Sequence, residues 1–188
     1  MKDSDTDPRP PRRAPGDLTR QQLLERILRV DHAGEYGARR IYEGQLAVLR
    51  NSPSRPVIQQ MWEQEAKHLD YFEKALPERR VRPTLLQPLW HVAGFALGAA
   101  TAALCERAAM ACTVAVEEVI DEHYAKQQAA LGSEEPELAK HIAEFRAEEL
   151  EHRDTGLEHE AEQAPGYPLL SAVVKAGSRA AIWLSERV

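Results

Sequence analysis

Helix-forming residues dominate the chain, and the β-branched alternation of a strand is absent. Clusters of Pro, Gly and Ser cut it into helix-sized pieces, which predicts an all-α protein. A first helix is expected after Thr19, whose pairing with Gln22 makes a capping-box pattern, and runs to about Leu49, where Asn51-Ser-Pro-Ser-Arg-Pro56 ends it. A second runs from about Pro56, acceptable in a first turn, to Leu76 before Pro77. After a connector through Pro83 comes an apolar segment, Leu85 to Leu104, whose only strongly polar members are Gln87 and His91. Further helices are expected over about Arg107 to Leu131, stopped by Gly132 and Ser133, and over about Glu134 to Gln163, closed by Ala164-Pro-Gly-Tyr-Pro168. The last, Leu169 to Arg187, carries Leu170, Val173, Val174, Ala181, Ile182 and Leu184 mostly on one stripe.

At 188 residues the chain fits a single domain that buries about two-thirds of its unfolded surface. Residues 1–18 read as a disordered tail and 19–188 as the helical domain. Met1 to Asp17 is rich in Pro, Arg and Asp and has no apolar run, so it is no secretory signal, and its acidic residues make a poor transit peptide. A bacterial protein or a processed mature form fits that reading. The net charge of −6, with no basic block interleaved with aromatics, excludes nucleic acid as a partner. Cys105 and Cys112, if on one helix, are about 10 Å apart and cannot bridge, which favours a reducing compartment.

The chemistry lies in a spacing. Among the seven histidines, only His68 and His152 have a glutamate three positions before them, Glu65 and Glu149. On a helix, i and i+3 share a face, so each pair can aim two ligands at one ion. Each of these helices follows, across one tight break, a helix with a further glutamate: Glu35 thirty residues before Glu65, and Glu117 thirty-two before Glu149. Glutamate is the commonest residue on solvated helix faces, so no one of the six speaks alone; their joint placement does. One Glu from each of two helices and a Glu-x-x-His from each of the other two is the ligand set of ferritin-like four-helix bundles that bind paired iron or manganese. Carboxylate and imidazole without thiolate suit those metals, and four carboxylates balance two divalent ions. Gly34 and Gly37 flank Glu35 inside a helix at about 1 kcal/mol each, which predicts close packing there.

At these residues the sequence resembles the demethoxyubiquinone hydroxylase family. The matching stretches are Arg29-Val-Asp-His-Ala-Gly-Glu-Tyr-Gly-Ala38, Met61-Trp-Glu-Gln-Glu-Ala-Lys-His68, Val81-Arg-Pro-Thr84, Met110-Ala-Cys-Thr-Val-Ala-Val-Glu-Glu118, Phe145-Arg-Ala-Glu-Glu-Leu-Glu-His152 and Leu184-Ser-Glu-Arg187. The resemblance implies two iron ions at Glu35, Glu65, His68, Glu117, Glu149 and His152. It also implies O2-dependent hydroxylation of a polyprenylated methoxy-methyl-benzoquinol ring in ubiquinone biosynthesis, with electrons ultimately from NADH. No Gly-x-Gly-x-x-Gly follows a strand, so reducing equivalents would reach the irons directly or through the quinone. Asp31 and Asp121, four residues from Glu35 and Glu117, are candidates to accept the second N–H of a ligating histidine, or are ordinary surface aspartates. Tyr124, seven residues after Glu117, could supply a proton or hydrogen bond to the site, or simply pack the core.

The segment Leu85 to Leu104 is long enough to span a bilayer, but Pro88, His91 and its many small residues make a poor spanning helix. An interfacial helix that admits a membrane-dissolved substrate is expected instead, beside the alternative of a fully buried helix packing through Gly94 and Gly98. The protein is therefore expected at a membrane surface, on the cytoplasmic face of the bacterial cell membrane or the matrix face of the mitochondrial inner membrane. The resemblance further implies a lipid-binding partner protein and self-association. Two rivals stand beside the hydroxylase: a ferritin-like protein that oxidises and stores iron, and a lipid-binding scaffold whose metal site is vestigial.

Overall fold

The computed structural model describes residues 17–188, so the tail read at residues 1–18 lies, but for Asp17 and Leu18, outside the described residues. Among the described residues the helices are α1 (Arg20–Val48), α2 (Arg55–Glu78), α3 (Gln87–Leu104), α4 (Glu106–Leu131), α5 (Pro136–Glu158) and α6 (Tyr167–Ser185), with a 3₁₀ turn at Ala161–Gln163 before the last. Their starts obey local chemistry. Thr19 caps α1 reciprocally: its hydroxyl accepts from the Gln22 N–H at 3.2 Å, and the Gln22 side chain accepts from the Thr19 N–H at 2.9 Å. Helices α2, α3, α5 and α6 each carry proline in the first turn, where no intrahelical N–H is needed.

The hairpins α1–α2 and α4–α5 form a four-helix bundle; α3 lies against α1 and α6 against α4. One apolar cluster, with Leu28, Phe72, Tyr124, Leu138 and Ile142, fills one end of the bundle, and a second, with Tyr42, Ile58, Met61, Met110 and Ala111, fills the other. Between them runs a buried polar layer.

Helix α3 touches α1 backbone to backbone. A Cβ on Gly98 would run into the carbonyl oxygen of Ile41, and one on Gly44 into that of Phe95. Only one face of α3 is covered, through Gly94, Gly98, Thr101 and Ala102, while Leu89 and Val92 are exposed, so α3 is not buried all round. Among the described residues no helix is long and apolar enough to cross a membrane.

Candidate metal centre

Glu35 lies on α1, Glu65 and His68 on α2, Glu117 on α4, and Glu149 and His152 on α5. Every one of the six is at most 4% exposed, which removes the solvated-face alternative. Their ligand-capable atoms fall into two groups, Glu35–Glu65–His68–Glu149 and Glu65–Glu117–Glu149–His152, within each of which all atoms lie inside 4.8 Å of one another. Glu65 and Glu149 belong to both groups. That is the arrangement two neighbouring cations need: two shared carboxylates, and one further carboxylate and one imidazole for each.

The groups also behave as a site short of positive charge. Neither oxygen of Glu65 has a hydrogen-bond partner, nor does Oε2 of Glu117, although all are buried. Orphaned carboxylate oxygens are costly in a core, and metal ions would satisfy them. Burial, aided by the charges of Glu149 and Glu35, pushes the Glu65 carboxyl well above its usual range, and burial with Glu149 and Glu65 does the same to Glu117. Glu149 goes the other way: burial would raise it, but hydrogen bonds and charge from His152 and His68 hold it at about 2. Burial opposes the charged form of His68, yet the carboxylates of Glu149 and Glu35, at 3.0 and 3.3 Å from Nδ1, raise it to about 12. In the metal-free protein a proton on Nδ1 thus does part of the work of a cation.

Both histidines face the centre with Nδ1 and turn Nε2 outward. His68 Nε2 lies 2.9 Å from Glu148 Oε2, and His152 Nε2 3.0 Å from Gln64 Oε1. Because Nε2 keeps its proton for that donation, Nδ1 would be the nitrogen to give up its proton and offer a lone pair inward were a cation bound. Asp31 and Asp121 do not hold those positions. Asp31 accepts from Gln127 at 2.6 Å, and Asp121 from Arg146 at 2.6 Å. Tyr124 does reach the centre, but its hydroxyl donates to Glu35 on α1 rather than to Glu117 on its own helix. Tyr42 mirrors it, donating to Glu117 Oε1 at 2.9 Å. Tyr42, Gln64 and Glu148 escaped the sequence reading, although the doubled pattern carries them: Tyr42 follows Glu35 as Tyr124 follows Glu117, by seven residues, and Gln64 and Glu148 each precede the glutamate of a Glu-x-x-His.

An apolar cleft of about 370 Å³ opens between α1, α3, α4 and α6. Its floor includes Gly34, the residue before Glu35, and Val116, the residue before Glu117. Ala93 and Leu97 of α3 and Ala181 and Ile182 of α6 form the sides, and at the edge the Trp90 indole donates to Ser185 Oγ at 3.0 Å.

A family model described as "Ubiquinone biosynthesis protein COQ7" matches residues 22–185. The chain belongs to this family. Within the COQ7 family, a Rhodospirillum rubrum protein named "3-demethoxyubiquinol 3-hydroxylase" is 58% identical over 177 residues, covering 94% of this chain and 84% of its own length. A mouse protein named "NADPH-dependent 3-demethoxyubiquinone 3-hydroxylase, mitochondrial" is 57% identical over 175 residues, covering 91% of this chain and 81% of its own. A Saccharomyces cerevisiae protein named "5-demethoxyubiquinone hydroxylase, mitochondrial" is 42% identical over 183 residues, covering 88% and 78%. The stretch matched by the COQ7 model includes all six buried ligand candidates and both walls of the cleft.

Proposed function

We propose that this chain hydroxylates a polyprenylated methoxy-methyl-benzoquinol ring with O2, in ubiquinone biosynthesis, at a pair of iron ions held by Glu35, Glu65, His68, Glu117, Glu149 and His152. The observation that carries this is the pair of buried carboxylate–imidazole groups sharing Glu65 and Glu149. When bound there, iron supplies the redox chemistry of O2, which no side chain can. The protein supplies the rest. Four carboxylates neutralise the cations, Glu148 and Gln64 orient the imidazoles, and Tyr42 and Tyr124 keep their hydroxyl protons because burial, then the neighbouring carboxylates, push both well above the usual range.

The cleft is the seat of the quinol. It is lined almost wholly by apolar atoms and lies against the helices that carry Glu35 and Glu117. Nothing in such a cleft serves a ferrous iron ion on its way to storage, and the names of the relatives speak for the hydroxylase over the ferritin-like alternative. Six buried ligands likewise weigh against a vestigial site, since buried unpaired carboxylates are a standing cost.

Leu89 and Val92 on α3, with Leu169, Val173 and Trp183 on α6, leave apolar side chains exposed along the helices bounding the cleft. Helix α3 carries no Asp, Glu, Lys or Arg. The two charged residues of α6 turn to α4, Lys175 to Glu118 and Arg179 to Glu122, the latter at 3.3 Å. This surface suits a peripheral seat on a bilayer, so that a substrate with a prenyl tail passes from lipid into the cleft. The lipid-binding partner protein and the self-association implied by the resemblance would use the same exposed apolar surface. The reductant is a reduced nicotinamide nucleotide, with NADH and the NADPH of the mitochondrial relatives' name to be compared directly.

Metal analysis of the purified protein, with quinol turnover under O2, tests the proposal. About two irons per chain and a hydroxylated product are expected, with both lost in Glu149→Ala. Normal turnover by metal-free protein would sink it, and mineral formation without quinol turnover would favour iron storage.

A further inference from the structure

Glycine is the costliest ordinary residue in a helix interior after proline, so each one needs a reason. For Gly44, Gly94, Gly98 and Gly156 the reason is packing: a Cβ at any of them would meet neighbouring atoms at under 3 Å. Gly177 of α6, which also lines the cleft, has open space for a Cβ, and Gly34 and Gly37 differ from those four in the same way. Both lie well inside α1. A Cβ on Gly37 would meet nothing within 4 Å, and one on Gly34 only Ile120 Cδ1 at an ordinary 3.9 Å. Helix α3 does come close to one of them, since a Cβ on Gly94 would stand 2.9 Å from the Gly37 carbonyl oxygen, but no protein atom occupies the space that a side chain on Gly34 or Gly37 would itself fill. What does lie over them is the cleft, whose wall both residues form.

Resting on the cleft as the quinol's seat, we propose that Gly34 and Gly37 are specificity-determining residues whose bare backbone forms the flat floor on which the substrate ring lies. Two observations carry this independently of each other: the absence of any protein atom that forbids a side chain there, and the position of Gly34 next to Glu35 in the chain. A methyl group on either would lift a flat ring by roughly 1.5 Å, the length of a carbon–carbon bond. Displacement of that size from the reacting position costs on the order of a hundredfold in rate. The ring recognised is thus a planar, substituted benzoquinol that needs one face free, with its tail running along the apolar walls of α3 and α6.

The test is a pair of substitutions, Gly34→Ala and Gly37→Ala, in the full metal-loaded chain, with Ala181→Phe on the opposite wall as comparison. Melting temperature is recorded, along with anaerobic affinity for a short-tailed ubiquinone and quinol turnover. The expected signature is a paradox that a structural role cannot give. Alanine raises the melting temperature by about 2–4 °C, since it is the better helix former and has room. It also weakens quinone binding about tenfold and slows turnover about a hundredfold. A fall in melting temperature would overturn the proposal, because the glycines would then serve the protein's own packing. Stabilised variants with unchanged binding and turnover would also overturn it; if Ala181→Phe still abolished binding, the cleft would keep its role as the quinol's seat. If Ala181→Phe were equally silent, the cleft itself would be misassigned.

Discussion

The hydroxyl of Tyr42, on α1, donates to Oε1 of Glu117, on α4, at 2.9 Å. Tyr124 on α4 returns the bond to Glu35 on α1, so each helix steadies the other's carboxylate. Tyr42→Phe removes the only hydrogen bond that the described residues give to the Glu117 carboxylate, whose Oε2 has none among them. A destabilisation of about 1–3 kcal/mol of the metal-free protein is expected, the cost of a buried acceptor left unsatisfied. Chemical denaturation of the two proteins measures it, and metal loading should narrow the gap, since a cation satisfies the same oxygen.

Glu148 and Gln64 hold the outer nitrogens of His68 and His152. Replacing either by alanine frees an imidazole to rotate and change tautomer, and metal affinity should fall about 10- to 100-fold. Glu148→Gln keeps an acceptor oxygen and should retain most of the affinity. Competition of ferrous or cobaltous ion between protein and a chelator reads these differences, and equal losses in Glu148→Ala and Glu148→Gln would contradict the role given to the acceptor.

Stability of the metal-free protein should fall as pH rises above neutrality. His68 is raised from 6.5 to about 12, so the stability it contributes is complete below about 6.5 and drains away towards 12. Glu65 and Glu117, held protonated above their ordinary 4.5, act with the same sign, because the folded state binds more protons than the unfolded one. Glu149, held at about 2, has the opposite sign: its contribution is present above 4.5 and is lost as pH falls towards 2. A stability maximum near pH 4.5 follows, because Glu149 has by then gained its full contribution while Glu65 and Glu117 begin to lose theirs, and the fall steepens above 6.5 where His68 joins them. Thermal melts across pH 4 to 9 test it, and iron or cobalt should remove the alkaline loss because the metal takes the proton's place.

Gly98→Ala forces a methyl group against the carbonyl oxygen of Ile41, which is backbone and cannot swing aside. A loss of about 1–3 kcal/mol is expected from overpacking, seen as a lower melting temperature. An unchanged melting temperature would mean that α3 sits less closely on α1 than described.

Helix boundaries were legible wherever a residue with one clear conformational habit marked them: the Thr19 cap, Pro56 in the first turn of α2, and Gly132 after α4, which takes φ +57°. They were illegible where an ordinary residue does an unusual thing. Helix α5 was expected to reach Gln163, but it stops at Glu158, because Glu160 turns into the left-handed region at φ 60° while Arg107 holds its carboxylate at 2.9 Å. The left-handed position is filled by a glutamate rather than a glycine or asparagine, so no local pattern marks it as a stop. The six buried ligand candidates were readable because helical periodicity fixes which residues share a face. Their outer partners were harder, since Gln64 serves the histidine of the opposite hairpin and Asp31, near in sequence, turns to Gln127 instead.

Both three-dimensional groups of ligand atoms draw on both hairpins: His68 and Glu65 from one meet Glu149 from the other, and His152 and Glu117 meet Glu65. Neither half of the chain holds a complete set for even one ion. A bound ion pair therefore acts as a clasp between segments far apart in sequence, and the bundle cannot come apart hairpin from hairpin without letting the metal go. Loading would protect the whole bundle from proteases at once, rather than one helix at a time.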